Sequence, residues 1–295
     1  MTEVPRGSAA RGYRGEIATP RLNLEQTLTC GQVFHWRRHG DGWAGAIGNE
    51  ACLLEQRGNV LRFSGVSARV VRHYLALDHP LEQIEATFPA DEAMQSALDF
   101  SRGLRVIRQP PWECVATFIT SALKQVAHIA QISHVLRERY GERIECNGVA
   151  IFTYPTAERL AALTEPDLRE CRLGFRAKSL LGAARMVASG EVDLSQIAAF
   201  ADNEARAELC RLPGVGEKVA NCALLFGFGR VRAFPIDVWI ERVLRETYFH
   251  RKRQVKSRRL REFSTSYFGP YGGYAQQYLF HHARMTRKKG GNSRE

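Results

Sequence analysis

Leu212-Pro213-Gly214-Val215-Gly216-Glu217-Lys218-Val219-Ala220-Asn221-Cys222 is the stretch on which the reading of this chain turns. Before it runs a helical pattern, EARAELCR, and after it another, ending in LLFGFG, so the five residues from Leu212 to Gly216 must turn one helix into the next. Two glycines behind a proline permit a tight turn whose backbone N–H groups point outward at the start of the second helix. Those donors, with the positive end of the helix dipole, suit a phosphate and would hold it without reading any sequence. A tight helix–turn–helix corner serves packing alone just as readily, so the turn needs support from its neighbours.

Lys218 lies two residues beyond the turn, and Cys222 follows at i+4 on the same helix face. A lysine acts as a nucleophile only when it has lost its proton, which partial burial and nearby positive charge both favour. A lysine in a first helical turn also serves simply as a phosphate contact. Pro235-Ile236-Asp237-Val238-Trp239 comes next, with Asp237 at the start of another amphipathic helix. There the carboxylate can cap the helix and still face Lys218 across a cleft.

Outward from this centre, the chain has 295 residues with 42 Lys and Arg against 31 Asp and Glu, a net charge of +11, and 44% hydrophobic residues. That length accommodates two or three packed units, and the charge favours a polyanionic partner over a small acidic metabolite. Seven cysteines are scattered with no CxxC pair, which argues against a disulfide framework, a zinc site or an iron–sulfur cluster. No metal and no cofactor are expected. No apolar leader or run of eighteen apolar residues occurs, so an intracellular protein without membrane contact is expected, acting as a monomer.

Residues 1–16 read as a flexible basic arm. Residues 17–108 read as an antiparallel sheet plus helices: Leu22 and Leu24 alternate with polar residues, and VFHWRR, GWAGAIG, ACLLEQ and VLRFSG follow between turn signals. Helical periods are expected near 67–77, 81–88 and 91–103. From 109 to 284 the pattern is helical almost throughout, with the helix-turn-helix at about 203–228, and 285–295 reads as a disordered basic tail. A second basic stretch, RKRQVKSRRLRE from Arg251 to Glu262, is either a solvated face or a phosphate contact. The fold class is α+β, a small N-terminal antiparallel sheet packed on a mainly helical bundle.

LPGVGEKVANC followed by FPIDVWI resembles the helix–hairpin–helix, Gly-Pro-Asp signature of base-excision DNA glycosylases. LTCGQVFHWRR, IRQPPWECVATFI, LGFRAKSL and GPYGGYAQQYLF resemble, in order, segments of the 8-oxoguanine DNA glycosylase/AP lyase branch, so the likeness spans nearly the whole chain. The resemblance implies Lys218 as a Schiff-base nucleophile at C1′ and Asp237 as the catalytic aspartate, acting on duplex DNA that carries an oxidised purine. It implies base recognition by the Gly31 carbonyl and by Gln276, Phe280 and Cys222. DNA contacts are implied at Gly214, Val215, Gly216, Leu123, Lys124, His128, Arg176 and Trp239. The chain departs from that pattern where asparagines and an arginine are usual, having Ala122-Leu123-Lys124-Gln125 and His128 instead. Phe175 stands for a tyrosine, and Trp239 for a histidine. Two other readings remain open: a helix–hairpin–helix glycosylase for another lesion, and a DNA-binding protein without catalysis. Lys218 speaks against branches that hydrolyse with water, and phosphate binding alone requires no Asp237.

Overall fold

The structure is a computed structural model, described here for residues 12–121, 125–249 and 255–290. Its N-terminal sheet has five antiparallel strands in the order β1-β5-β4-β3-β2: β1 (Gly15–Ala18), β2 (Arg37–His39), β3 (Gly42–Ile47), β4 (Glu50–Arg57) and β5 (Val60–Ser64). Alternation in β4 divides its side chains between two cores. Cys52 and Leu54 pack with Ile17, Trp36, Trp43, Leu61 and Phe63, whereas Ala51 and Leu53 face the other way.

One expected strand is a helix. Leu22 and Leu24 alternate as a strand would, yet the Asn23 side chain accepts from the Gln26 N–H at 3.0 Å and opens α1 (Leu24–Thr29). Leu24 and Leu28, at i and i+4, then enter the sheet's core together. After the sheet come α2 (Ala68–Tyr74), α3 (Leu81–Glu85) and α4 (Glu92–Phe100), within the three expected helical segments.

Helices α5 (Pro111–Thr120) and α6 (Val126–Tyr140) lead to a hairpin, β6 (Arg143–Cys146) and β7 (Val149–Phe152), where sequence periodicity suggests only helix. Its turn is Asn147-Gly148, both at positive φ (50° and 77°), the two-residue geometry that matches strand twist. Cys146 and Ile151 cover Ala44, Ala46, Ala51 and Leu53, the sheet face turned away from α1 and α2. The body continues as α7 (Ala157–Ala161), α8 (Glu165–Glu170), α9 (Arg176–Ala188), α10 (Asp202–Cys210), α11 (Glu217–Phe226), α12 (Val238–Tyr248), α13 (Ser257–Tyr267) and α14 (Gly272–Gly290).

Helix α14 returns to pack on α4, so Leu81, Ile84, Met94 and Ala97 belong to the core of the helical body. Cys30 and Phe34 also lie in the core of the helical body, whereas Ile107 lies in that of the sheet, so the two cores interleave along the chain. The expected disordered tail is helical as far as Gly290, continuing a helix whose earlier turns are anchored by packing. The expected basic arm ends where β1 begins at Gly15, and residues 1–11 lie outside the described residues. Among the described residues no helix is long and apolar enough to cross a membrane.

Candidate active site

The hairpin between α10 and α11 takes its shape from Gly214, at φ +82°, where a Cβ would lie 2.7 Å from the Cβ of Ser179. Only glycine fits, on both conformational and steric grounds. Val215 is buried beside it and its N–H bonds to the Leu212 carbonyl at 3.0 Å, which pins the turn to the body. Gly216 is the N-cap of α11, exposed and without a capping side chain, and a Cβ there would meet nothing within 4 Å. The first-turn N–H groups of α11 thus face an open surface at the positive end of the helix. The described part of the basic stretch forms α13, whose Arg261 reaches Glu217, the first residue of α11, at 2.6 Å.

One residue further into α11, the half-buried Lys218 donates from Nζ to Ser121 Oγ at 3.1 Å. Ser121 spends its own proton on the Phe118 carbonyl (2.7 Å), leaving lone pairs for the ammonium. The Phe118 ring lies 5.1 Å from Nζ and offers its negative face to the same charge. Cys222, one turn along, is buried; burial pushes its thiol up to about 11, and the Lys218 charge pulls the other way.

Asp237 caps α12, with Oδ1 accepting from the Trp239 N–H at 3.1 Å and the Ile240 N–H at 2.9 Å. Burial raises its carboxyl above the ordinary aspartate value, against the opposing pull of those N–H groups and of Lys218. The turn after α10 and the start of α12 thereby bring nucleophile candidate and carboxylate within electrostatic reach, nineteen positions apart in sequence. Trp239 is half-buried in the same first turn, with Arg242 over its ring at 6.0 Å.

A second group assembles from the two ends of the chain. Gly31, at φ +95° just after α1, sits where a Cβ would lie 3.0 Å from Phe280 Cε1 and 3.4 Å from Val126 Cγ2. Gln276, one turn before Phe280 on α14, is buried, and its Oε1 has no hydrogen-bond partner. The Phe118 ring also meets Phe34, three residues beyond Gly31 in sequence, edge-on at 5.8 Å.

His128 is exposed in the first turn of α6. Arg176 opens α9 with its guanidinium 4.2 Å from the ring of Phe175, itself 63% exposed. Leu123 and Lys124 lie outside the described residues. A cavity of about 490 Å³ lined by Trp112, Tyr154 and Leu194 includes none of these residues, so it is not where this chemistry gathers. Sequence reasoning missed Ser121 and Phe118, for which no spacing or motif carries a signal.

Residues 16–115 match the family model of the 8-oxoguanine DNA glycosylase N-terminal domain, and residues 116–267 that of the HhH-GPD superfamily base excision DNA repair protein. The "Probable N-glycosylase/DNA lyase" of Methanothermobacter thermautotrophicus is 34% identical over 220 residues, 68% of this chain and 70% of that protein. The N-glycosylase/DNA lyase OGG1 of Arabidopsis thaliana is 28% identical over 285 residues, 90% of this chain and 78% of its own length. Among solved structures, the Clostridium acetobutylicum 8-oxoguanine glycosylase/lyase, in complex with double-stranded DNA containing cytosine opposite 8-oxoG, superposes with a TM-score of 0.86 at 28% identity. The match covers 93% of this chain and 99% of that one.

Proposed function

Because the chain belongs to the HhH-GPD superfamily of base excision DNA repair proteins and carries the 8-oxoguanine DNA glycosylase N-terminal domain, we propose that it excises 8-oxoguanine from duplex DNA and then cleaves the abasic strand through Lys218. The observation that carries this reading is the placement of Lys218 beside Ser121 and Phe118 and within the field of Asp237. Deprotonated, the Lys218 amine adds to C1′ as the C1′–N9 bond breaks. The electron pair of that bond leaves with the base, which takes up a proton. Ring opening gives an imine, and loss of a C2′ proton expels the 3′ phosphate and nicks the strand. Asp237 opposes the positive charge that develops on the sugar and serves the proton transfers, a role suited to a carboxyl whose proton affinity burial has raised.

An enzyme that reacts at C1′ of a stacked nucleotide must first take the base out of the helix. Phe280 offers a stacking face beside Gly31, and the unpartnered Gln276 Oε1 is a buried acceptor for a base N–H. Oxidation places a proton on N7 of guanine, so the Gly31 carbonyl distinguishes lesion from normal base by accepting it. Cys222 covers the opposite face of the ring. Gly214 to Gly216 hold one phosphate by backbone N–H groups, with Trp239 and Lys124 on its neighbours. Leu123 wedges the vacated stack, while His128 and Arg176 meet the unpaired partner base. With His128 where the resemblance has arginine, discrimination among partner bases is relaxed. All these residues come from one chain, so a monomer suffices.

The test is release of free base from duplexes with 8-oxoguanine opposite each of the four bases, with enzyme in excess. Release from more than one duplex by the native protein, and none by Lys218→Gln, is the expected result. Absence of release from all four by the native protein contradicts the lesion assignment.

A further inference from the structure

Helix α14 presents Gln276, Phe280 and Arg284 at successive i+4 steps, one stripe along one face. Gln276 and Phe280 face the flipped base in the proposed reaction, and Arg284 lies one turn beyond them. Its side chain is 7% exposed, Nη2 donates to the Thr29 carbonyl at 2.7 Å, and Cζ lies 5.7 Å from the Phe280 ring centroid. Its Nε–H is buried and has no acceptor. Among the described residues no carboxylate pairs with it. Burial pulls the guanidinium below its ordinary value, and the neighbouring Cys30 thiol, itself pushed up to about 11 by burial, carries no charge at neutral pH to balance it. A buried cation without a counter-ion is costly to the fold.

Breaking C1′–N9 gives such a cation a role. The glycosidic electron pair departs with the base, and the negative charge spreads over the purine ring and its oxygens until a proton arrives. A fixed positive charge close by in a water-poor pocket opposes that build-up far more strongly than it would in water, and it needs no reorganisation during the reaction. We propose that Arg284, held behind Phe280 by the Thr29 carbonyl, is the charge that favours departure of the excised base. It acts across the Phe280 ring on the leaving group and transfers no proton itself. This rests on the base-excision reading of the site.

The two steps of that reading separate the roles, because an abasic strand has no base to expel. Arg284→Met and Arg284→Lys are compared with the native protein on an 8-oxoguanine duplex and on a duplex with a preformed abasic site. Enzyme is in excess and its concentration is varied. Arg284→Met is expected to slow base release at saturating enzyme by about tenfold or more. The half-saturating concentration should move less than about twofold, abasic cleavage should keep its rate, and Arg284→Lys should recover most of the loss. Unchanged base release overturns the proposal. A loss confined to half-saturation does so too, by making Arg284 a packing residue, and so does an equal fall in abasic cleavage, by making it a general structural one. Should Arg284→Met not fold, Arg284→Gln takes its place. If the native protein cleaves abasic DNA yet releases no 8-oxoguanine, it is the lesion assignment that fails.

Discussion

Asp237 shows at single-residue scale what the site demands of the fold. Its carboxyl is raised by burial, so the folded protein holds the aspartate proton more tightly than the unfolded chain does. Ionisation then costs stability: nothing is lost below the ordinary value of 3.8, and the penalty grows as pH rises through the raised value. Asp237→Asn keeps a capping oxygen and removes that charge. It is expected to melt on the order of 1–2 °C higher at neutral pH, with the gain fading toward pH 4, while base excision falls by about 100-fold or more. Melting curves across pH, beside excision rates, check both halves. Ser121→Ala removes the acceptor that orients Lys218 and is expected to slow strand cleavage several-fold with little change in DNA affinity. Lys218 and Asp237 were legible in the sequence because helix starts announce themselves through glycine, proline and capping residues. Ser121 and Phe118 were not, because they come from the C-cap and last turn of α5, about a hundred positions before Lys218, and only packing brings them there.

At the scale of elements, the hairpin before α11 is fixed by backbone geometry at Gly214. Gly214→Ala must force a left-handed residue and push its Cβ into Ser179, and is expected to cost about 1–3 kcal/mol of stability. Loss of affinity for undamaged duplex should accompany it if, as proposed, the same turn aims its N–H groups at a phosphate. Thermal melting and duplex binding measure the two effects, and a variant that melts lower yet binds DNA normally separates the hairpin from the interface. The β6–β7 hairpin is instructive for the opposite reason. Asn147-Gly148 is a strong two-residue turn signal, but four-residue strands beside it are too short to overcome the helical period on either side. Likewise Leu22 and Leu24 alternate over too few residues for the pattern to outweigh an Asn23 cap.

Across the whole molecule, sheet and helical body are joined by a buried set of charges. Glu113 of α5 accepts from Arg137 of α6 and lies 3.2 Å from His35 Nδ1, and Arg137 also donates to the Phe152 carbonyl of β7 at 3.0 Å. Burial alone would push the Glu113 carboxyl up, but Arg137 and His35 hold it below the ordinary glutamate value. It therefore contributes stability above the unfolded value of 4.5, lost as pH falls through the lower folded one. Glu113→Gln leaves Arg137 buried and half-paired and is expected to cost about 3 kcal/mol or more, read as a lower melting temperature. The sheet-then-bundle order was legible from the shift between alternating and helical periods. The return of α14 onto α4 was not, because no local pattern records a contact between the two ends of a chain; that Gly31 and Phe280 meet was implied only by the resemblance. The central claim joins those ends to the hairpin in one reaction, and borohydride trapping tests it most directly. Native protein incubated with an 8-oxoguanine duplex and borohydride should form a covalent adduct whose modified peptide contains Lys218, and Lys218→Gln should form none. An adduct at another residue, or trapping undiminished in Lys218→Gln, would contradict the account.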